Sequence, residues 1–251
     1  MMRLAKMASV LMILASGCAS SSGDSPIARN QAASLELARQ MVGQGEFQRA
    51  VQFLLPRSRQ PDAPAEVHML LGLSFLGLKN PAVALKSFQA ALKIDQDDDN
   101  ARLNLAYTYI LTGQLNESRN KLNEILARGK YPLMERVHLN LGLTYMQEKM
   151  CDKAVTSFQT ALEIDPTYSA PYFNMGKCQF SSGRFQEAQA SFQRAIDFCP
   201  GCLEPLFELA TVTARLGDRR KALGQLENIL NAKPESSLQQ KALALKRQMT
   251  R

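Results

Sequence analysis

The 34 residues from Glu135 to Tyr168, ERVHLNLGLTYMQEKMCDKAVTSFQTALEIDPTY, read as two amphipathic helices joined by a short turn. Leu141 and Tyr145 stand four apart and share one face of the first helix. Ala154, Phe158 and Ala161 line the facing side of the second. Gly142 and Ala154 are small, which lets the two helices approach closely. Pro166 ends the second helix, because proline lacks the backbone donor and clashes with the preceding turn.

The same frame repeats along the chain. Units of 34 residues start at Gln31, Ala65, Asp99, Glu135, Ser169 and Leu203, with two extra residues near Gly129 to Pro132 before the fourth. The small pair at positions 8 and 20 reads Ala38/Ala50, Gly72/Ala84, Ala106/Ser118, Gly142/Ala154, Gly176/Ala188 and Ala210/Ala222. Position 24 reads Leu54, Phe88, Leu122, Phe158, Phe192 and Leu226. This pattern resembles the tetratricopeptide repeat, a helix–turn–helix unit that stacks into a solenoid. The expected fold is therefore all-α, with six repeats over residues 31–234 and a capping helix over 235–251. No stretch alternates with period two, so no sheet is expected. Pro56 falls inside the second helix of the first unit and should kink or shorten it.

Residues 1–17 read as a signal sequence. Arg3 and Lys6 precede an apolar run from Met7 to Ala15 that is too short to span a bilayer. Ala15-Ser16-Gly17-Cys18 resembles the bacterial lipobox, which implies that Cys18 is acylated and becomes the first mature residue. Alanine rather than leucine stands three places before the cysteine. Without the acyl group the segment would be an ordinary secretory peptide. Ala19 follows the cysteine in place of aspartate, which in lipoproteins implies the outer membrane. Residues 18–30 are small and polar and are expected to form a lipidated flexible tether.

The formal charge is +7, and removing Arg3 and Lys6 leaves about +5. Basic residues are scattered, which argues against nucleic acid as a partner. The five cysteines carry more information. With Cys18 taken by lipid, Cys151, Cys178, Cys199 and Cys202 remain, an even number that allows three disulfide pairings. In the repeat frame, Cys151 begins one helix and Cys178 lies late in the neighbour packed beside it. The favoured pairs are thus Cys151–Cys178 and a local Cys199–Cys202, against four free thiols.

Cys199-Pro200-Gly201-Cys202 has the spacing of a redox dithiol, and a periplasmic thiol oxidoreductase is the competing reading from another functional class. A catalytic pair needs its first thiolate at a helix N-terminus, whereas Cys199 lies at a helix end where the dipole disfavours it. His68 and His138 occupy the same repeat position and read as packing residues. Asp95, Asp97, Asp98 and Asp99 lack the glycine and glutamate of a calcium loop and read as an inter-repeat turn. No nucleophile–base motif or phosphate loop is present. The expectation is a non-enzyme without catalytic residues, metal, cofactor or small-molecule substrate.

Positions 5, 9 and 12 of the first helices line the groove of the resembled fold. They read Met69, Leu73 and Leu76 in unit two, Leu103, Tyr107 and Ile110 in unit three, and Leu139, Leu143 and Met146 in unit four. Phe173 and Phe180 continue the strip in unit five, interrupted by Lys177. An apolar strip on a solvated face implies a partner, and an amphipathic helix or apolar segment is the matching ligand. The competing expectation is that tight packing buries part of the strip. Groove members of the family that hold a carboxylate tail use asparagine and lysine, a set missing here.

The lipobox, the length and the six units together resemble the pilotins of type IV pilus systems, of the PilF, PilW and Tgl kind. That resemblance implies a lipid-anchored protein on the periplasmic face of the outer membrane. Its partners would be outer-membrane lipid, through Cys18, and the type IV pilus secretin, whose insertion and multimerisation it would promote. A general scaffold for envelope or outer-membrane protein assembly is the alternative within the same class.

Overall fold

The computed structural model of the chain describes residues 26–250, with side chains from 32 onward. The signal sequence, Cys18 and the tether as far as residue 25 lie outside the described residues. Among those described there are thirteen helices and no strand. Six antiparallel pairs follow one another: α1 Pro26–Gly43 with α2 Phe47–Ser58, α3 Ala65–Gly77 with α4 Pro81–Ile94, and α5 Asp99–Leu111 with α6 Leu115–Arg128. They continue as α7 Met134–Gln147 with α8 Cys151–Ile164, α9 Ser169–Ser181 with α10 Phe185–Asp197, and α11 Leu203–Arg215 with α12 Arg219–Asn231. The last helix, α13 Ser236–Thr250, closes the stack against α12 and α11.

One boundary differs from the sequence reading. The chain is already helical at Pro26, so the expected tether over 18–30 is helix in its last five residues. The reason is local. Proline fixes φ at the helical value and its missing donor is not needed at a first helical position, and Ala28, Ala32 and Ala33 favour continuation. Pro56 lies inside α2, which stops two residues later at Ser58.

Each pair is packed by one contact that sets the repeat. The rings of Phe88, Phe158 and Phe192 are fully buried, each burial contributing roughly 1.5–3 kcal/mol. A β-carbon on Gly72, Gly142 or Gly176 would lie 2.4, 2.3 and 2.7 Å from those rings. Where the first helix carries alanine instead (Ala38, Ala106, Ala210), the second carries leucine (Leu54, Leu122, Leu226). The two kinds of unit thus fill the same space in two ways: glycine with phenylalanine, or alanine with leucine.

The second helix of each unit packs on the first helix of the next, which links the pairs into a solenoid. Between units three and four the buried hydroxyls of Ser118 and Thr144 lie 3.1 Å apart, and Arg119 grips Glu148 with bonds of 2.6 and 2.9 Å. The two extra residues there deliver Tyr131 into the core beside Leu103, Leu122 and Val137, with its hydroxyl donating to Asn100 Oδ1 at 2.9 Å. Asp98 caps α5 by accepting from the Asn100 and Ala101 amides. The neighbouring Asp99 pairs with the buried Arg102, which also reaches Glu124 at 3.1 Å and the carbonyl of Gln96. The acidic run is therefore a cap and an ion-pair cluster between units two and three.

Candidate functional site

The first helices of units two to five, α3, α5, α7 and α9, lie side by side. Their apolar strip is only partly open. Leu103, Ile110 and Leu139 are 7, 6 and 9 % exposed and back the strip rather than line it. This corrects the expectation that all of those positions face solvent. Leu103 packs with Leu122 and Ile125 of α6 and Val137 and Leu141 of α7, and Leu139 with Ala154 and Phe158 of α8 and Cys178 of α9. Met69, Leu73, Leu76, Leu143, Met146, Phe173 and Phe180 are half-buried, and Tyr107 is exposed at 37 %. Leu73, Tyr107 and Leu143 are position 9 of successive units and form the accessible middle. The Asn104 amide reaches Met69 Sδ at 3.8 Å and ties unit two to unit three beside it. Lys177 holds position 9 in unit five, 5.4 Å from the Phe173 ring centre.

A second feature sits at the edge of the stack, where α7 turns into α8 against the end of α9. It is a cavity of about 890 Å3, with Met146, Met150 and Cys178 among its lining residues and Lys149, Lys153 and Lys177 around it. The sequence reading missed this cavity, although one signal was present. Lys149 occupies the left-handed position of its turn (φ +62°), a place held by Gly45, Gly113, Gly183 and Gly217 in four other units.

The thiols follow the expectation in one pair and depart from it in the other. Cys199 and Cys202 are joined by a disulfide across the turn between α10 and α11, with Cα atoms 5.4 Å apart. Cys151 and Cys178 are free. They meet as neighbouring thiols, not as the expected bridge. Burial, helped by a hydrogen bond with Cys151, pushes the Cys178 thiol up to about 12. Cys151 Sγ also lies 3.5 Å from the Ser181 hydroxyl. Cys202 is the N-cap residue of α11, and Cys199 falls just beyond the end of α10.

His68 and His138 are half-buried in separate units, and burial holds both below their ordinary pKa. No group of three or more histidine, cysteine, aspartate or glutamate side chains suited to a metal occurs among the described residues. Nor is any described helix long and apolar enough to cross a membrane.

These features define a helical repeat protein with a partly open apolar strip along its first helices. Three tetratricopeptide-repeat models match residues 35–101, 75–141 and 133–201, and the chain belongs to that family. Among solved structures it is similar to PilW, described as a widely conserved type IV pilus biogenesis factor. The TM-score is 0.75 at 16 % identity, covering 88 % of this chain and 100 % of that one. It is also similar to PilF of Pseudomonas aeruginosa, with a TM-score of 0.69, 19 % identity and coverage of 87 % and 98 %. Cut9 in its complex with Hcn1 gives 0.74 at 15 % identity, but only 42 % of that chain is covered. In sequence the chain is 27 % identical over 191 residues to Superkiller protein 3 of Schizosaccharomyces pombe, covering 72 % of this chain. It is 25 % identical over 139 residues, 55 % of this chain, to the peroxisomal targeting signal receptor of Saccharomyces cerevisiae. It spans only 13 % and 22 % of those two proteins.

Proposed function

We propose that the chain is a non-enzymatic, lipid-anchored scaffold of the outer membrane that captures a type IV pilus secretin and promotes its insertion and multimerisation. The observation that carries this reading is one of extent. The fold runs in step with two pilus-biogenesis proteins over 87–88 % of this chain and 98–100 % of theirs. TTC0263 of Thermus thermophilus and YrrB, also matched over 97 % of their own length, cover only 72 and 80 % of this chain, and longer repeat proteins match through a fraction of theirs. Cys18 supplies the anchor, and the accessible strip of Leu73, Tyr107 and Leu143 supplies a face for an apolar segment of the secretin. Holding that face at the membrane raises the local concentration of a captured subunit. The Cys199–Cys202 bridge acts as a staple between units five and six rather than as an oxidoreductase centre.

The test is to co-express the chain with the secretin of its own pilus system and purify it from detergent-solubilised envelopes. Recovery of the secretin with the chain, and multimers that form only when the chain is present, are the expected results. Unchanged multimers in cells lacking it would reject the assignment.

A further inference from the structure

We propose that the cavity between the turn of unit four and the end of α9 is a second docking site, which takes an acidic segment bearing an apolar anchor from a protein partner. It rests on the reading of the chain as a capturing scaffold; it adjoins the strip of first helices, sharing Met146 and Lys177 with it, but is centred on the turn between α7 and α8.

Three observations carry it. The first is unbalanced charge. Lys149, Lys153 and Lys177 line the cavity and none of the three forms an ion pair among the described residues, Glu208 being the acid whose charge is felt at Lys177 from farther off. Asp152, the acid that lines the same cavity, faces Arg184 at 3.6 Å. The ammonium groups of Lys153 and Lys177 stand 5.7 and 5.4 Å from the ring centres of Tyr145 and Phe173. Contact with a ring face orients a lysine without neutralising it.

The second observation is strain. Lys149 is held at φ +62°, a conformation that disfavours a side chain and that glycine accepts freely. Glycine stands in that place in four other units and Lys79, at φ +57°, in unit two, so the turn accepts either residue and has no need of lysine. What lysine adds there is an ammonium group beside the cavity.

The third is the floor. Met146, Met150 and the buried Cys178 are soft and apolar, and methionine adapts to irregular side chains. About 890 Å3 is within the range of ligand pockets and accommodates a few residues of a peptide. Carboxylates over the lysines and a leucine or phenylalanine on the methionines satisfy both parts. A nucleic acid would leave the apolar floor unused.

The test uses the full chain in detergent and two fluorescein-labelled peptides, Glu-Asp-Leu-Phe-Asp-Glu-Leu and the same sequence with lysine at each acid. Fluorescence anisotropy should show binding of the acidic peptide alone, weakening about tenfold between roughly 50 and 300 mM salt as screening removes the attraction. Lys149→Gly should weaken binding about fivefold or more while melting no lower than the parent chain, since it removes strain. The double variant Lys153→Ala/Lys177→Ala should weaken it further. Lys79→Gly makes the same change at the equivalent turn of unit two and should leave binding unaltered. Absence of binding, equal binding of both peptides, or binding indifferent to both the Lys149 and the Lys153/Lys177 changes overturns the proposal. So does a single-stranded oligonucleotide that displaces the peptide and binds more tightly. A chain that binds the peptide here but captures no secretin would reject the pilus assignment and leave this site standing. Secretin capture without peptide binding would do the reverse.

Discussion

Gly142 presents its bare backbone to the ring of Phe158, so closely that a β-carbon there would lie 2.3 Å from Cε1. The ring is fully buried, so making room for that carbon means shifting a packed core side chain. Gly142→Ala should therefore destabilise the chain by about 1–3 kcal/mol, although alanine is the better helix former. The other units indicate the remedy. Phe158→Leu in the Gly142→Ala background recreates the Ala106/Leu122 arrangement of unit three. Urea denaturation of both singles and the double should give a cycle in which the double is at least about 1 kcal/mol more stable than additivity allows. Strict additivity would mean that the two positions do not share their space.

That pairing shows how far the sequence reached. The frame of small and large residues located the helix pairs because each position has a steric task, and the first helices begin within a residue of the predicted starts from Ala65 to Leu203. The tether was misjudged because Ser, Gly and Pro dominate its composition, while Pro26 is also a good first residue of a helix. The groove was read too widely. Periodicity says which residues share a face, but the depth of Leu103 and Leu139 depends on how the first helix of the next unit closes over them, which no single unit encodes. The lysine cavity is a meeting of a turn and a helix from different units, so only one of its parts, Lys149 in a glycine position, left a trace in the sequence.

The free thiols should differ sharply in reactivity. Cys178 is 1 % exposed, and burial pushes its thiol up to about 12, so near pH 8 it stays protonated. Cys151 is partly exposed. Timed alkylation of the native, unreduced chain followed by peptide mass mapping should label Cys151 first and Cys178 only on unfolding. The folded pKa is raised above the ordinary 9.0, so the stability linked to Cys178 is complete below pH 9 and is lost as the pH climbs towards 12. Cys178→Ala should flatten part of that alkaline loss. Rapid labelling of Cys178 at pH 8 would contradict its burial.

Anchoring can be tested independently of the fold. If Cys18 is acylated, wild-type cells should incorporate labelled palmitate into the protein and fractionate it with the outer membrane. Cys18→Ala should do neither. Several acyl chains bind far more firmly than the marginal hold of one, so the wild type should resist extraction by high salt and alkali. Membrane association that persists in the Cys18→Ala variant without any label would show that something else holds the chain there.

The groove makes the most direct claim on function. Tyr107 is exposed and Leu143 half-buried, and both stand at the open middle of the strip. Neither holds a small or large position that defines the repeat. Tyr107→Glu or Leu143→Glu should consequently keep the helicity of the parent chain and shift stability by no more than about 1 kcal/mol. At the centre of an interface, losing a buried aromatic or aliphatic anchor costs about 2 kcal/mol or more, a drop of roughly thirtyfold or greater in affinity. Secretin multimers in the outer membrane should fall accordingly. Ala154→Leu is the opposite control, because it overpacks a fully buried site and should lose stability first and capture only as a consequence. Measuring melting, helicity and secretin multimers on the same set of variants separates the two effects. Groove variants that fold normally and still support normal multimers would move the docking face elsewhere, first to the lysine-rimmed cavity beside α9.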